Sequence, residues 1–396
     1  MSYQWPSDGS SSIWPEINST FLSLRGFSDE FIPMNDTQRT YKKLLMGFDA
    51  ITSCEMKELY KFKITLTQMN EHDLSLPELC LIHKAFSAWV KFDYDNARSL
   101  LTQHIRAYPS DIVALFFIHM LDFCTGKTTN LRSILLYCDE HIVSTHYLYP
   151  YYLSIKSFVL CEAQCFDDAL EVGFKSVKLM PDNIYGIHAV AHALHELGRW
   201  KELCHFLTNC KEHWITNAGM GMHVYWHLAI AYERSDEITL ALQAFDELYA
   251  LKDNPFAKQD LDAVEFLWQL RLKSADTNFQ PIWERLAVLW TGSISSSTSY
   301  FHKIHAALAF SATNQSFLIE KLIAESDGFG IEPDTHSTGI DVLKAILLFT
   351  SRHYEECLNK LRLSYEKWPL LGGSRAQREI LDQTMEYAAL KASSTL

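Results

Sequence analysis

A 72-residue internal repeat is the feature that most constrains how this chain can fold. Small side chains recur in it at Ala85, Ala97, Ser157, Ala169, Ala229 and Ala241. Within each copy the two small residues stand 12 positions apart, and Pro109 or Pro181 follows 12 positions after the second in the first two copies. Small residues let two helices approach closely, and a proline ends the helix before it. The repeat therefore predicts paired helices of regular length.

This spacing is typical of the tetratricopeptide helical hairpin, whose unit is about 34 residues, so one 72-residue step would hold two slightly long units. A further copy fits Ala345, Cys357 and Pro369. Because each hairpin buries its apolar face only against its neighbours, we expect an all-α, tetratricopeptide-like helical-hairpin solenoid, curved and largely closed around a central groove. We expect residues 1–36 to form an extended N-terminal leader and residues 37–392 a single helical-repeat domain.

Composition and charge exclude several classes of partner. A formal net charge of −13 without a basic cluster argues against nucleic acid, because neutralising phosphates needs clustered Lys and Arg. The longest apolar stretch, residues 112–123, is too short to span a bilayer and is interrupted by His119 and Asp122. The N-terminus has no signal-peptide pattern, and nine cysteines without a Cys-x-x-Cys pair indicate reduced thiols. The sequence thus predicts a soluble, cytoplasmic protein.

Histidines crowd into one short stretch of the predicted repeat. His188, His192 and His195 are spaced i, i+4 and i+7, which places them on one face of a helix. His223 and His227 form a second i, i+4 pair on what should be the next hairpin. Their density indicates a site inside the repeat.

Three interpretations of these histidines stay open at this point. Two facing pairs could supply four imidazoles to Zn²⁺ or another divalent ion. The same side chains could act as a general acid and base, since histidine titrates near neutrality. They could also pack with Trp200, Trp214 and Trp226 as polar groups of the core, satisfied by hydrogen bonds.

The segment "LGGSRAQRE" has two interpretations of its own. Gly372 and Gly373 allow a tight backbone, and Ser374 can cap a helix that begins at Arg375. With Arg378 nearby, this helix N-terminus could receive a carboxylate or phosphate. The alternative is a purely structural cap in which Arg378 pairs with a carboxylate.

Three segments resemble the signature segments of the tetratricopeptide repeat protein 38 family. They are "HAVAHALHELGR" (188–199), "HVYWHLAI" (223–230) and "LGGSRAQREILDQ" (371–383). The resemblance runs from about residue 80 to residue 392 and keeps the order of the segments. It implies an all-helical, cytosolic repeat protein, and it bears on the fold rather than on a reaction.

The resemblance also implies two further site residues and two departures. It adds Asp262, from "DAVEFLWQLRL", and His305, from "YFHKIHAALA". The family's pattern has a glutamate where His195 stands, with Glu196 shifted next to it, and an Asn-Asp pair where His302 and Lys303 stand. These departures indicate a divergent member with altered chemistry or an altered ligand.

The histidine density favours an enzyme or ligand-binding protein acting on a small molecule. Acid–base chemistry of the isomerase, cyclase, lyase or hydrolase type is expected, because neither a Gly-x-Ser-x-Gly nucleophile nor a His-Glu-x-x-His helix occurs. The candidate catalytic residues are His188, His192, His195, His223, His227 and His305. The candidate substrate-binding residues are Tyr225, Trp226, Glu196, Asp262 and Arg378. We expect no cofactor; a divalent metal, if bound, would use His188, His192, His223 and His227.

The alternative function is a non-catalytic scaffold that binds a peptide of a partner protein in the concave groove. Such grooves are commonly lined with Asn, Lys and Arg at helical spacing, and the sequence shows no stripe of this kind. The repeat usually binds a peptide or protein in its concave groove, which favours this alternative, although a fold does not dictate a function.

Overall fold

The computed structural model describes residues 13–27, 35–69, 74, 76–127, 130–217, 219–251, 260–273, 279–326 and 331–394. Its helices are α1 (Ile13–Leu22), α2 (Asp36–Thr52), α3 (Met56–Thr67), α4 (Pro77–Trp89), α5 (Tyr94–Ala107), α6 (Ile112–Cys124), α7 (Leu131–Asp139), α8 (Tyr149–Glu162), α9 (Phe166–Leu179), α10 (Ile184–Glu196), α11 (Trp200–Asn209), α12 (Lys211–Trp214), α13 (Gly221–Arg234), α14 (Ile238–Ala250), α15 (Leu261–Lys273), α16 (Gln280–Thr291), α17 (Tyr300–Ala312), α18 (Ser316–Ala324), α19 (Pro333–Thr350), α20 (Tyr354–Ser364), a 3-10 helix (Tyr365–Leu371) and α21 (Arg375–Ser393).

The predicted all-α class and helical-hairpin arrangement are confirmed. A short turn joins α8 to α9 and another joins α9 to α10, and these three helices pack on one another. The small residues Ala97, Ser157 and Ala169 of the repeat are all completely buried, and Ser157 hydrogen-bonds to the Ala169 carbonyl where α8 meets α9. Each hairpin thus covers the apolar face of its neighbour, as the repeat requires.

The turns between paired helices share a left-handed residue. Phe92, Gln164 and Asp236 have φ of 63°, 62° and 62° and stand 72 residues apart, at the same place in each copy. The amide of the next residue then reaches back to a carbonyl five positions earlier, as when Cys165 N donates to Leu160 O at 2.9 Å. This bond satisfies a carbonyl at the helix end and turns the chain into the second helix.

Part of the leader is helical rather than extended. Residues Ile13–Leu22 form α1, and the ring of Phe21 meets the rings of Phe48, Phe116 and Phe117 at 5.6, 5.9 and 5.6 Å. An aromatic side chain gains more by joining this apolar cluster than by remaining in water, which accounts for the difference from the prediction. Residues 1–12 and 28–34 lie outside the described residues.

The chain divides into two compact units. Unit 1 comprises residues 1–53, 58–123 and 127–244, and unit 2 comprises residues 54–57, 124–126 and 245–396. The sequence predicts one repeat domain over 37–392, and this boundary stays a prediction. No described helix is long and apolar enough to cross a membrane.

The "LGGSRAQRE" segment forms a structural cap in unit 2. Gly372 and Gly373 have φ of 85° and 74°, and Ser374 with Gln377 makes a reciprocal capping box at the start of α21. The Arg378 guanidinium donates to the carbonyl oxygens of Gly372 and Gly373. Arg378 therefore helps to fold this turn by donating to its backbone carbonyls.

Candidate functional site

Four of the predicted histidines come together in unit 1. His188 and His192 from α10 face His223 and His227 from α13, and one ring nitrogen of each lies within 4.8 Å of the others. The Nε2 atoms of His188 and His192 are 2.8 Å apart, so one donates a hydrogen bond to the other. We call these four residues the histidine cluster.

The cluster forms because each pair occupies successive turns of one helix and the two helices pack together. Alanines at Ala189, Ala191 and Ala193 are completely buried and surround the α10 pair. Their small side chains let neighbouring helices approach α10 closely. The arrangement offers four imidazole nitrogens to a metal ion.

Burial controls the charge of the cluster. His188, His192 and His227 are only 5%, 1% and 0% exposed. Burial, reinforced by the neighbouring histidines, lowers the pKa of all three well below the ordinary value. These imidazoles are therefore neutral at physiological pH, which is the form that binds metals.

Several buried nitrogens of the cluster lack hydrogen bonds. Neither Nδ1 of His188 and His192 nor either ring nitrogen of His227 has a hydrogen-bond partner among the residues that the structure describes. Buried polar groups are normally paired, and leaving one unpaired costs about 1–3 kcal/mol. These nitrogens therefore do not fit the interpretation in which the histidines are polar groups of the core satisfied by hydrogen bonds.

Aromatic rings hold the cluster in place. Phe158 stacks on His188 at 5.4 Å and presents its edge to His192 at 4.9 Å. Trp226 stacks on His223 at 5.1 Å with only 10° between the ring planes. Trp226, predicted to bind substrate, thus forms part of the cluster's wall.

Three other predicted residues of unit 1 lie outside the four-histidine group. His195 is buried against Trp200, with ring centroids 4.7 Å apart. It shares a helix face with His192 but lies three residues further along α10, where the helix has advanced roughly 4.5 Å. Tyr225 packs edge-on against Trp214 at 4.8 Å, and Glu196 is half-buried at the end of α10.

His305 belongs to unit 2, where its partner is a glutamate that sequence reasoning missed. His305 Nε2 lies 2.8 Å from Glu265 Oε1, and His305 Nδ1 lies 2.7 Å from the carbonyl oxygen of Phe301. Burial lowers the pKa of His305 to about 4, although the Phe301 carbonyl and Asp262 favour the charged form. Asp262, also predicted, is buried on α15 with Glu265.

A basic groove in unit 2 is a second candidate site, and the sequence analysis missed it. It encloses about 440 Å³. Its described lining residues are Arg271, Leu272, Ser311, Asn314, Phe349, Thr350, Arg352, Tyr354, Tyr387 and Lys391, and none of these is acidic.

Three cations and three aromatic rings define this groove. Phe349 lies 5.5 Å from Tyr354 and 5.6 Å from Tyr387 between ring centroids, and the Lys391 Nζ sits 5.2 Å above the Tyr387 ring. Partial burial lowers the pKa of Arg271, while the nearby Tyr387 opposes that change. Among the described residues, neither Arg271 nor Arg352 forms an ion pair with an acidic side chain.

Comparisons with known proteins give distant similarities only. No protein-family model matches the sequence. A chain of the APC/C hetero-tetramer Cut9–Hcn1 is similar with a TM-score of 0.42 and 12% identity, covering 87% of this chain and 63% of that one. This chain therefore spans less than two thirds of that relative's length.

Two other solved structures are similar. A tetratricopeptide repeat protein from Parabacteroides merdae has a TM-score of 0.36 and 15% identity, covering 78% of this chain and 98% of that one. The P58(IPK) tetratricopeptide domain has a TM-score of 0.22 and 11% identity, covering 81% of this chain and 100% of that one. Similarities of this size carry no inference about activity or partners.

Proposed function

We propose that this chain is a non-catalytic binding protein whose unit 2 holds an acidic segment of a partner protein in the basic groove. The observation that carries the proposal is the convergence of Arg271, Arg352 and Lys391 on a groove whose described lining residues include no acidic side chain. They do so in a chain whose formal net charge is −13. A local excess of positive charge on an acidic protein favours a ligand of the opposite sign.

The electrostatic argument rests first on Arg271. Its side chain is exposed at the groove, and a guanidinium stays protonated at physiological pH. A carboxylate that entered the groove could accept two parallel hydrogen bonds from it. Arg352 lines the same groove. It lies in a turn, where its own φ is 62°.

The aromatic wall argues for a peptide rather than a free anion. Phe349, Tyr354 and Tyr387 offer apolar ring surface beside the cations, which suits a segment with alternating acidic and apolar side chains. The volume of about 440 Å³ lies within the roughly 300–1,000 Å³ typical of ligand pockets. A groove of this size accommodates a short extended segment, and the exposed Asn314 in its lining can hydrogen-bond to the backbone of that segment.

An acid–base enzyme draws less support from the same observations. Of the predicted catalytic residues, His192, His195, His227 and His305 are at most 2% exposed. A substrate must come within about 3 Å of a general acid or base. His223 alone in the histidine cluster retains intermediate exposure, which leaves little room for a substrate to reach the others.

Fluorescence anisotropy tests the proposed function. The probe is a short labelled peptide of alternating Glu and Leu, compared with the matched peptide in which Gln replaces every Glu. We expect the Glu peptide to bind at least tenfold more tightly, and Arg271→Gln or Arg352→Gln to weaken it five- to fiftyfold. Lys344→Gln, an exposed change on α19 outside the groove lining, serves as the control and should leave binding unchanged. Equal affinity for the two peptides would refute the proposal.

A further inference from the structure

We propose that the histidine cluster of unit 1 binds one late first-row divalent metal ion, of the kind that Zn²⁺ represents. His188, His192, His223 and His227 contribute one ring nitrogen each. The site is separate from the basic groove and does not depend on the function proposed for it.

The distances suit a tetrahedral ion after small side-chain movements. Zn–N bonds of about 2.0–2.1 Å place the four nitrogens of a tetrahedral site roughly 3.4 Å apart. Here the ring nitrogens lie within 4.8 Å of one another, and His188 Nε2 and His192 Nε2 are 2.8 Å apart. Movements on the order of 1 Å, within the reach of χ rotations, would equalise these separations.

The hydrogen-bonding state of the cluster also favours an ion. One contact between His188 and His192 uses two nitrogens, while both ring nitrogens of the completely buried His227 have no hydrogen-bond partner in the described part of the chain. A metal would engage one nitrogen of each histidine at once. The 2.8 Å hydrogen bond between His188 and His192, in which one imidazole must donate, would be lost. In its place, each of the four histidines would bind the metal through the lone pair of one ring nitrogen.

The donor set selects the class of metal. The group consists of four imidazoles without a thiolate or carboxylate among the described residues. Imidazole suits Zn²⁺, Ni²⁺ and Cu²⁺, whereas Mg²⁺ and Ca²⁺ require oxygen ligands.

Four protein ligands make this a structural rather than a catalytic site. A catalytic zinc keeps one position open for water or substrate, and a site filled by four side chains does not. The ion would cross-link α10 to α13, the first helices of two successive hairpins, and so stabilise unit 1. Nδ1 of His188 and His192 lacks a described acceptor, and without such outer hydrogen bonds we expect affinity ten- to a hundredfold below that of a fully supported site.

The ion can reach the cluster from the side on which His223 lies. His223 has intermediate exposure, while the other three ligands are buried. Its ring stacks on Trp226, so binding should perturb tryptophan fluorescence. Because His223 is less buried than the other three ligands, His223→Ala should be the variant least disruptive to the fold.

Co²⁺ titration of the full chain tests the site without any mutation. A tetrahedral four-imidazole site gives intense visible d–d absorption that saturates at one Co²⁺ per chain, with no thiolate-to-metal charge-transfer band. Zn²⁺ should abolish the spectrum and raise the melting temperature. A weak octahedral spectrum, a thiolate band from the cysteines, or no saturation at one equivalent would overturn the proposal.

Variants assign the ligands. His223→Ala and His227→Gln should each lose at least tenfold in Zn²⁺ affinity, measured by competition with a chromophoric chelator, and should lose the melting-temperature rise. His205→Ala removes an exposed histidine of unit 1 and should bind as the wild type does. Unchanged Zn²⁺ affinity in both cluster variants would overturn the assignment. Should either variant not fold, as judged by its circular dichroism, the wild-type Co²⁺ spectrum decides.

Discussion

Ser157 Oγ donates a hydrogen bond of 2.7 Å to the carbonyl oxygen of Ala169, across the interface of α8 and α9. Both residues are completely buried. They are the two small positions of the second repeat copy, 12 residues apart. The small side chains of the repeat therefore set how closely the two helices of a hairpin approach.

Enlarging Ser157 should separate α8 from α9. We expect Ser157→Leu to lower the free energy of unfolding by about 3 kcal/mol, because extra methyl groups cannot fit into a packed interface without moving it. Ser157→Ala loses only the hydrogen bond and should cost about 1 kcal/mol. Urea denaturation of the variants measures both. Equal effects of Leu and Ala would show that close approach does not matter there.

The left-handed turns predict opposite effects of two glycine changes. Gly198 has φ of 66°, and a methyl group added there would meet only Trp200 Nε1, at 3.9 Å. Gly198→Ala should therefore cost about 1 kcal/mol through backbone strain alone. Gln164, with φ of 62°, occupies the corresponding turn, and Gln164→Gly should stabilise by a few tenths to about 1 kcal/mol.

Thermal unfolding of these two variants side by side is the measurement. A loss of stability in Gln164→Gly would mean that the entropy of the unfolded chain outweighs the strain at this turn. The strain argument would then be wrong.

Asp382 on α21 predicts a pH dependence. Burial raises the pKa of this carboxyl from 3.8 to about 6, with Glu379 and Glu386 adding repulsion and Arg375 and Arg378 opposing the rise. The folded state therefore binds more protons than the unfolded state between these two values. The stability associated with Asp382 falls as pH rises through that interval and is lost above about 6.

Asp382→Asn should accordingly raise the free energy of unfolding at neutral pH by about 1 kcal/mol, allowing for solvent screening of a half-buried group. The gain should vanish below the ordinary carboxyl pKa, where both side chains are neutral. Denaturation of wild type and variant across that range measures the difference. A gain that persists in acid would rule out the charge as its cause.

The His305–Glu265 pair predicts which substitution the unit 2 core tolerates. Since Nδ1 faces the Phe301 carbonyl, it must donate there, and a neutral His305 then accepts at Nε2. Glu265 would hold the shared proton. Glu265→Gln keeps a donor and should cost less than about 1 kcal/mol, whereas Glu265→Ala leaves the imidazole unpaired and should cost about 3 kcal/mol.

Calorimetry of the two Glu265 variants distinguishes the protonation states. If Gln were as damaging as Ala, the pair would be an imidazolium and a carboxylate instead. Nitrogen chemical shifts of His305 would report the same difference directly.

The sequence predicts the hairpins because small side chains recur in it at a fixed spacing, but it does not reveal the conformation of the turns. Phe92, Gln164 and Asp236 share one backbone conformation and share no side-chain property, since the helix ends rather than the residue type impose the left-handed φ. The helical leader was likewise not predicted, because the partners of Phe21 come from α2 and α6.

The sites could be predicted only in part, because the sequence does not reveal which helices contact one another. Spacing identifies His188 with His192 and His223 with His227, and only the packing of α10 on α13 makes them one group. The basic groove was missed because Arg271, Arg352 and Lys391 come from the end of α15, a turn and the end of α21. Cations drawn from three elements leave no periodic stripe on any one helix.

A charge-swap experiment tests the proposed binding function most directly. Arg271→Glu and Arg352→Glu are each titrated with the acidic Glu/Leu peptide and with the same peptide carrying Lys in place of Glu. If the groove recognises acidic side chains, each variant loses at least tenfold in affinity for the acidic peptide and gains affinity for the basic one. Retained binding of the acidic peptide, without any gain for the basic peptide, would contradict it.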